Sequence, residues 1–89
     1  MKHYKIETTR TFDKEFKKLN TNIQKIILKF IKENLDKTEN PYKKGKPLKG
    51  NFAGIWRYRI LDYRLLVDIK EDKLIIKALR IAHRNKIYK

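Results

Sequence analysis

The 89-residue sequence contains no cysteine, two histidines, two prolines, three glycines and one tryptophan. Without cysteine there is no disulfide framework, thiolate zinc site or cysteine nucleophile, and the widely separated His3 and His83 make a poor metal site. No metal and no cofactor are therefore expected. Acidic residues are scarce as well: 10 Asp and Glu stand against 24 Lys and Arg, a formal charge of +14. No stretch approaches the roughly 20 apolar residues of a membrane helix, and residues 1–7 lack the apolar run of a signal peptide. The expectation is a cytoplasmic chain that makes no membrane contact.

What is present argues for a folded, basic domain. Apolar residues make up 40 % and aromatics 11 %, more than a disordered basic tail would carry. The length has room for one domain, 1–89, that buries roughly 60–70 % of the surface of its unfolded chain. The charge is unevenly placed. Residues 1–40 hold 10 basic and 6 acidic residues (+4), whereas residues 41–89 hold 14 basic and 4 acidic (+10).

The first half reads as helical. His3 to Thr8 is a short, partly β-prone opening strand. Phe12, Phe16 and Leu19 then recur at helical spacing, with Thr11 as N-cap. A second helix begins at Thr21, where Gln24 has capping-box spacing, and its apolar stripe runs Ile23, Ile26, Ile27, Phe30, Ile31 and Leu35. This amphipathic hairpin must lie on something apolar. The stretch Glu39 to Asn51, rich in Lys, Gly, Pro and Asn, reads as a loop.

From Ile55 onward the period changes to 2. Trp56, Tyr58 and Ile60 share one side of a strand, and Ile55, Arg57 and Arg59 the other. Leu61-Asp62 is a turn, Tyr63 to Lys70 a second strand, Glu71-Asp72 a second turn, and Leu74 to Ile81 a third strand. In that third strand Leu74, Ile76, Ala78 and Arg80 oppose Ile75, Lys77, Leu79 and Ile81. The predicted fold is α+β: an N-terminal strand, then an antiparallel helical hairpin on one face of a mainly antiparallel sheet. The meander forms the C-terminal half, and the second sheet face is left free.

Arg57, Arg59 and Arg64 are the residues expected on that free face. Arg59 and Arg64 lie at similar distances from the Leu61-Asp62 turn, so the hairpin brings them together. Adjacent guanidiniums repel unless an anion lies between them, which suits a phosphate clamp; the alternative is that they solubilise the sheet and lay their stems over apolar neighbours. In the tail, Arg84 could stabilise charge on a phosphate and Tyr88 could stack on an unpaired base, or Tyr88 could anchor the C-terminus on the sheet. Imidazole is a side-chain type suited to proton transfer, which makes His83 a candidate, although a lone histidine is more often structural. Lys46 and Lys49 belong to a run of four lysines in the eight positions from Lys43 to Gly50, suited to non-specific phosphate contact. The run is no Walker motif, which needs Gly-Lys followed by Ser or Thr. Paired carboxylates for glycoside chemistry are absent too, since Asp62, Asp68, Glu71 and Asp72 belong mostly to turns.

The order of elements, with Pro47-Leu48-Lys49-Gly50, Gly54-Ile55-Trp56-Arg57-Tyr58-Arg59, Asp62-Tyr63-Arg64-Leu65 and Leu79-Arg80-Ile81-Ala82-His83-Arg84 through Ile87-Tyr88, resembles the RelE branch of the RelE/ParE toxins of prokaryotic toxin–antitoxin pairs. The resemblance covers essentially the whole chain. It implies a ribosome-dependent endoribonuclease that cuts messenger RNA in the ribosomal A site without a metal, and that a RelB-like acidic antitoxin holds inactive in a hetero-oligomer. It implies further that Arg64 binds phosphate, that Arg84 stabilises the transition state, that Tyr88 stacks on substrate, and that Arg57 and Arg59 are the basic residues of the meander's first strand. The family prototype has lysine, proposed as general base, at the position of Arg59. Arginine is a much poorer proton acceptor. Either Arg59 acts electrostatically while His83, the RNA or the ribosome takes the proton, or cleavage is slow and relies on positioning. Two other readings are a ParE-like toxin directed at DNA gyrase and a non-catalytic RNA- or ribosome-binding module.

Overall fold

The computed structural model describes residues 2–88. Its elements run β1 (Lys5–Thr8), α1 (Arg10–Lys17), α2 (Thr21–Asn34), β2 (Lys46–Pro47), a 3-10 turn (Gly50–Phe52), β3 (Trp56–Ile60), β4 (Tyr63–Lys70) and β5 (Ile75–His83). The five-stranded sheet has the order β1-β5-β4-β3-β2. β1 pairs parallel to β5, and every other pairing is antiparallel. The predicted α+β architecture is thus present, with one addition: the lysine-rich segment is not all loop. It contributes β2, and Pro47, which has no N–H to donate, sits there on an edge strand where proline is tolerated.

Both helix starts differ from the sequence reading. Thr9, not Thr11, caps α1: its hydroxyl accepts the Phe12 N–H at 3.1 Å. Asn20, not Thr21, caps α2, accepting the Ile23 N–H at 2.9 Å, and the Gln24 amide donates instead to the Phe16 carbonyl at 3.0 Å, clasping the two helices. In both cases a residue with extended backbone just ahead of the helix takes the cap, because only there can its oxygen reach the free N–H groups of the first turn.

The main core lies between the helices and one sheet face. Phe12, Ile27, Ile31 and Leu35 meet Tyr58, Ile60, Leu65, Val67, Ile76 and Ile81. Tyr58 is completely buried, and its hydroxyl donates to the Pro41 carbonyl at 2.6 Å. Ile26, assigned to the buried stripe, is exposed, since the face that α2 presents to the sheet is narrower than the sequence stripe. No helix among the described residues is long and apolar enough to cross a membrane.

A β-bulge in β5 overturns the simple alternation of that strand. Val67 pairs with Ala78 and Leu66 with Arg80, so Leu79 is the extra residue. Past it the phase reverses: Ile81 points into the core, and Arg80 points to the opposite face beside Leu66. α1 satisfies the polar groups that the bulge frees. The Thr9 hydroxyl donates to the Leu79 carbonyl at 2.9 Å, and Glu15 Oε1 accepts the Ile81 N–H at 3.1 Å.

The second face, expected to be free, is partly roofed. Past His83 the chain turns back, and Ile87 is fully buried, as is nearly all of Leu66, outside the main core cluster. Leu66 faces Arg80 across the ladder, and Arg80 Nη1 donates to the Ile87 carbonyl at 3.0 Å. The apolar character of these two residues gives the tail something to bury, and this fixes where Arg84 and Tyr88 lie.

Candidate functional site

On the face away from the helices, cross-strand partners form rows. Arg57, Leu66 and Arg80 make one row, and Arg59, Arg64 and Ala82 the next. Arg59 and Arg64 are directly paired, so the two cations sit opposite one another, an arrangement that is destabilising by itself. They are neighbours because the hairpin closes on two residues, Leu61 and Asp62, with Leu61 in the left-handed region at φ 55°.

Arg64 is half-buried and its direction is set by the turn: Nη1 donates to the carbonyls of Leu61 at 3.1 Å and Tyr63 at 3.0 Å. Its proton affinity falls below the ordinary arginine value, first because burial disfavours the charge and then because the guanidiniums of Arg59, Arg57 and Arg84 surround it; the Tyr88 phenol acts in the opposite sense. Arg57, Arg59, Arg64, Arg84 and Tyr88 therefore share one electrostatic neighbourhood. Mutual repulsion there is relieved by an anion, and a fixed fork of donors suits phosphate oxygens.

Arg84 reaches this neighbourhood through its backbone. Its N–H donates to the Asp62 carbonyl at 2.7 Å, pinning the start of the tail to the turn that holds Arg64. The exposed Arg84–Asp62 side-chain pair, 3.9 Å apart, adds little. Tyr88 keeps 43 % of its surface exposed while its ring meets Phe52 edge-on at 5.6 Å and 66°. The ring therefore packs against Phe52 while much of its surface remains exposed.

His83 stands at the end of β5 opposite Tyr63, with the two rings edge to face at 5.6 Å. Its Nδ1 accepts the Asn85 N–H at 3.2 Å, and its carbonyl accepts from Lys86 at 2.8 Å and Ile87 at 3.1 Å. An imidazole that accepts at Nδ1 carries its proton on Nε2, so His83 folds the tail. Lys46 lies across the ladder from Arg57, near the cluster's rim. Lys49 is exposed immediately ahead of the 3-10 turn.

Three contributors escaped the sequence reading. Arg80 forms a two-pronged ion pair with Glu15 of α1 (Nη2 to Oε2 2.7 Å, Nε to Oε2 3.2 Å) while also holding the Ile87 carbonyl. Phe52 braces Tyr88 from the end of the 3-10 turn, a residue to which the sequence reading gave no part. Glu15 is 65 residues from Arg80, and no local pattern announces such a contact.

Comparison with known proteins places this arrangement. The sequence profile described as the ParE toxin of a type II toxin–antitoxin system, parDE, matches residues 6–88. Toxin RelG of Mycobacterium tuberculosis is 31 % identical over 86 residues, covering 97 % of both chains. Among solved structures, a RelBE toxin–antitoxin complex from Mycobacterium tuberculosis is similar with a TM-score of 0.84 at 31 % identity, over 94 % of each chain. An archaeal RelE–RelB complex from Pyrococcus horikoshii shares the fold, with a TM-score of 0.72 at 23 % identity over 97 % of this chain and 99 % of that one. The chain belongs to the RelE/ParE superfamily and is a RelE-type toxin of a type II toxin–antitoxin system.

Proposed function

We propose that this toxin is a ribosome-dependent endoribonuclease that cuts messenger RNA in the ribosomal A site. The observation that carries the reading is the convergence of Arg57, Arg59 and Arg84 on the half-buried Arg64, with the exposed ring of Tyr88 beside them. In the proposed reaction the ribose 2′-hydroxyl attacks the adjacent phosphorus and the bond from phosphorus to the 5′-oxygen breaks. The products are a 2′,3′-cyclic phosphate and a 5′-hydroxyl. The phosphorane that forms on the way carries extra negative charge, and donors already in place stabilise it without reorganising. Arg64 holds the phosphate, Arg84 faces the developing charge and the leaving oxygen, Arg59 adds its field, and Tyr88 stacks on a neighbouring base. His83 has Nδ1 engaged by Asn85, so the proton of the 2′-hydroxyl passes to a group of the RNA or the ribosome, and the departing 5′-oxygen takes up a proton from solvent. Holding the RNA in line is the ribosome's share, which lets a shallow site suffice.

The reading includes a partner. Relatives from Mycobacterium tuberculosis and Pyrococcus horikoshii are found in complexes with RelB antitoxins. A charge of +14 favours an acidic, amphipathic chain that orders as it covers the basic face, forming a toxin–antitoxin hetero-oligomer in the cytoplasm.

Mapping RNA 5′ ends after brief expression tests the activity. In-frame cuts confined to translated messages are expected. Intact messages with gyrase-linked DNA breaks would overturn the proposal in favour of the ParE-like target. Arg64→Ala and Arg84→Ala should each lower cleavage roughly 100- to 1,000-fold while antitoxin binding persists. Full toxicity of the double variant would show that the site lies elsewhere.

A further inference from the structure

A second feature borders the arginine cluster but belongs to a different part of the fold. β2 is only Lys46–Pro47, and Gly45, in the left-handed region at φ 83°, immediately precedes it and lies close against β3. A Cβ at Gly45 would lie 2.3 Å from the Arg57 carbonyl, so only glycine allows this approach. The Lys44 carbonyl then accepts the Trp56 indole N–H at 2.8 Å, and β2 does not extend to pair with Arg59. The C-terminal half of β3 is left with an open edge. A cavity of about 180 Å³ opens there, with Phe30 of α2 and Tyr58 as its apolar wall and Lys44, Lys46, Arg57 and Arg59 around it.

Arg57 Nε is buried and, among the described residues, has no hydrogen-bond partner. A buried donor without an acceptor is a standing penalty, and an anionic oxygen would remove it. Arg57 and Arg59 lie on the same side of β3, two residues and therefore about 6.7 Å apart along the strand. That separation matches successive phosphates of an extended RNA strand. With Arg59 in the cluster around the reactive phosphate, Arg57 and Lys46 are placed for the next one. The cavity is smaller than the ~300–1,000 Å³ that takes a drug-sized ligand, which suits a single ring system rather than a cofactor.

We infer that the cavity between Phe30 and the open edge of β3 is a base-binding subsite for the nucleotide flanking the scissile phosphate, with that nucleotide's own phosphate held by Arg57 and Lys46. The inference rests on the ribonuclease reading. It favours RNA over an acidic peptide because the cations continue those of the cluster at phosphate spacing and end against an aromatic wall, the combination that binds single strands.

The test uses the purified chain without ribosomes and reads the fluorescence and indole N–H resonance of Trp56, the chain's one tryptophan. The probes are a short single-stranded RNA made uncleavable by 2′-deoxy substitution, the same strand abasic at successive positions, inorganic phosphate, and a polyglutamate peptide. The intact strand is expected to shift the Trp56 signals. Removing one base should weaken binding roughly 5- to 100-fold, as should Phe30→Leu, whereas Phe30→Tyr, which keeps a ring, retains affinity. Lys46→Gln should lower the salt dependence by about one phosphate contact. Thermal melts identify variants that fail to fold, and the abasic series needs no variant at all. Equal binding of intact and abasic strands, an unmoved Trp56, or an equal response to phosphate or polyglutamate would each overturn the subsite. Because no cleavage is measured, failure here leaves the RNA-end mapping unaffected, and failure of that mapping leaves this binding measurable.

Discussion

The ion pair between Glu15 and Arg80 makes a demanding prediction, because it joins α1 to the tail that carries Arg84 and Tyr88. Glu15→Ala removes the carboxylate from both Arg80 and the Ile81 N–H. The side chains of Arg80 and Glu15 are 35 % and 22 % exposed, so the pair lies between two regimes. An exposed pair contributes about 0.2–1 kcal/mol, whereas stripping one partner from a fully buried pair costs about 3–5 kcal/mol. Solvent screening at this exposure argues for about 2 kcal/mol, and the orphaned Ile81 N–H adds about 1 kcal/mol. A loss of about 2–3 kcal/mol corresponds to a fall in Tm of roughly 10–20 °C for a domain of this size. Glu15→Gln, which keeps an acceptor for Ile81, should lose about half as much. Thermal melts measure the total, and amide hydrogen exchange shows where it acts. The Ile87 amide, bonded to the His83 carbonyl, should exchange faster in Glu15→Ala by a larger factor than amides in the middle of β4. A variant melting within about 2 °C of the parent, or one whose tail protection is unchanged, would refute the idea that α1 holds the tail.

Four further outcomes follow from the structure. Asn20→Ala should destabilise the fold by about 1 kcal/mol and Thr21→Ala by less, a comparison of chemical-denaturation midpoints that separates the observed cap from the one read in the sequence. Gly45→Ala should cost about 3 kcal/mol or more, because the left-handed backbone and the Arg57 carbonyl both resist a Cβ, and loss of the Trp56 hydrogen bond should change tryptophan emission. The Tyr42 phenol is pushed up to about 12, first by burial and then by its hydrogen bond to Glu71 and the charge there. In the unfolded chain it titrates near 10. The folded state therefore holds this proton more tightly, and the associated stability, complete below pH 10, declines as pH rises toward 12; Tyr42→Phe should flatten that alkaline decline in melts across this window. Arg59→Lys should speed cleavage, with a pH–rate profile that gains a basic limb, because lysine can surrender its proton where arginine cannot.

Much of the architecture was legible because it rests on local periodicity. Tyr58 and Ile60 alternate with Arg57 and Arg59 as written, and Ile27, Ile31 and Leu35 fall on one helical face, since burying them is the main gain available to so short a chain. The caps went astray by one or two positions because threonine and asparagine cluster at both helix starts, and the backbone geometry that chooses among them is not a property of residue type. Unbroken alternation groups Arg80 with Ile76 and Ala78, and no pattern in Ala78-Leu79-Arg80-Ile81 marks the extra residue that separates them.

By itself the sequence determined the charge, its concentration in the second half, the α+β order of elements, and the nearness of Arg59 to Arg64, because a two-residue turn leaves little freedom in pairing. Tertiary structure alone decided which other groups join them. The bulge at Leu79 turns Arg80 outward, Glu15 and Arg80 hold the tail at the Ile87 carbonyl, Asp62 pins Arg84, and Phe52 packs against Tyr88. These contacts link positions far apart in the chain, where residue spacing carries no information about distance and only the simultaneous packing of both sheet faces does.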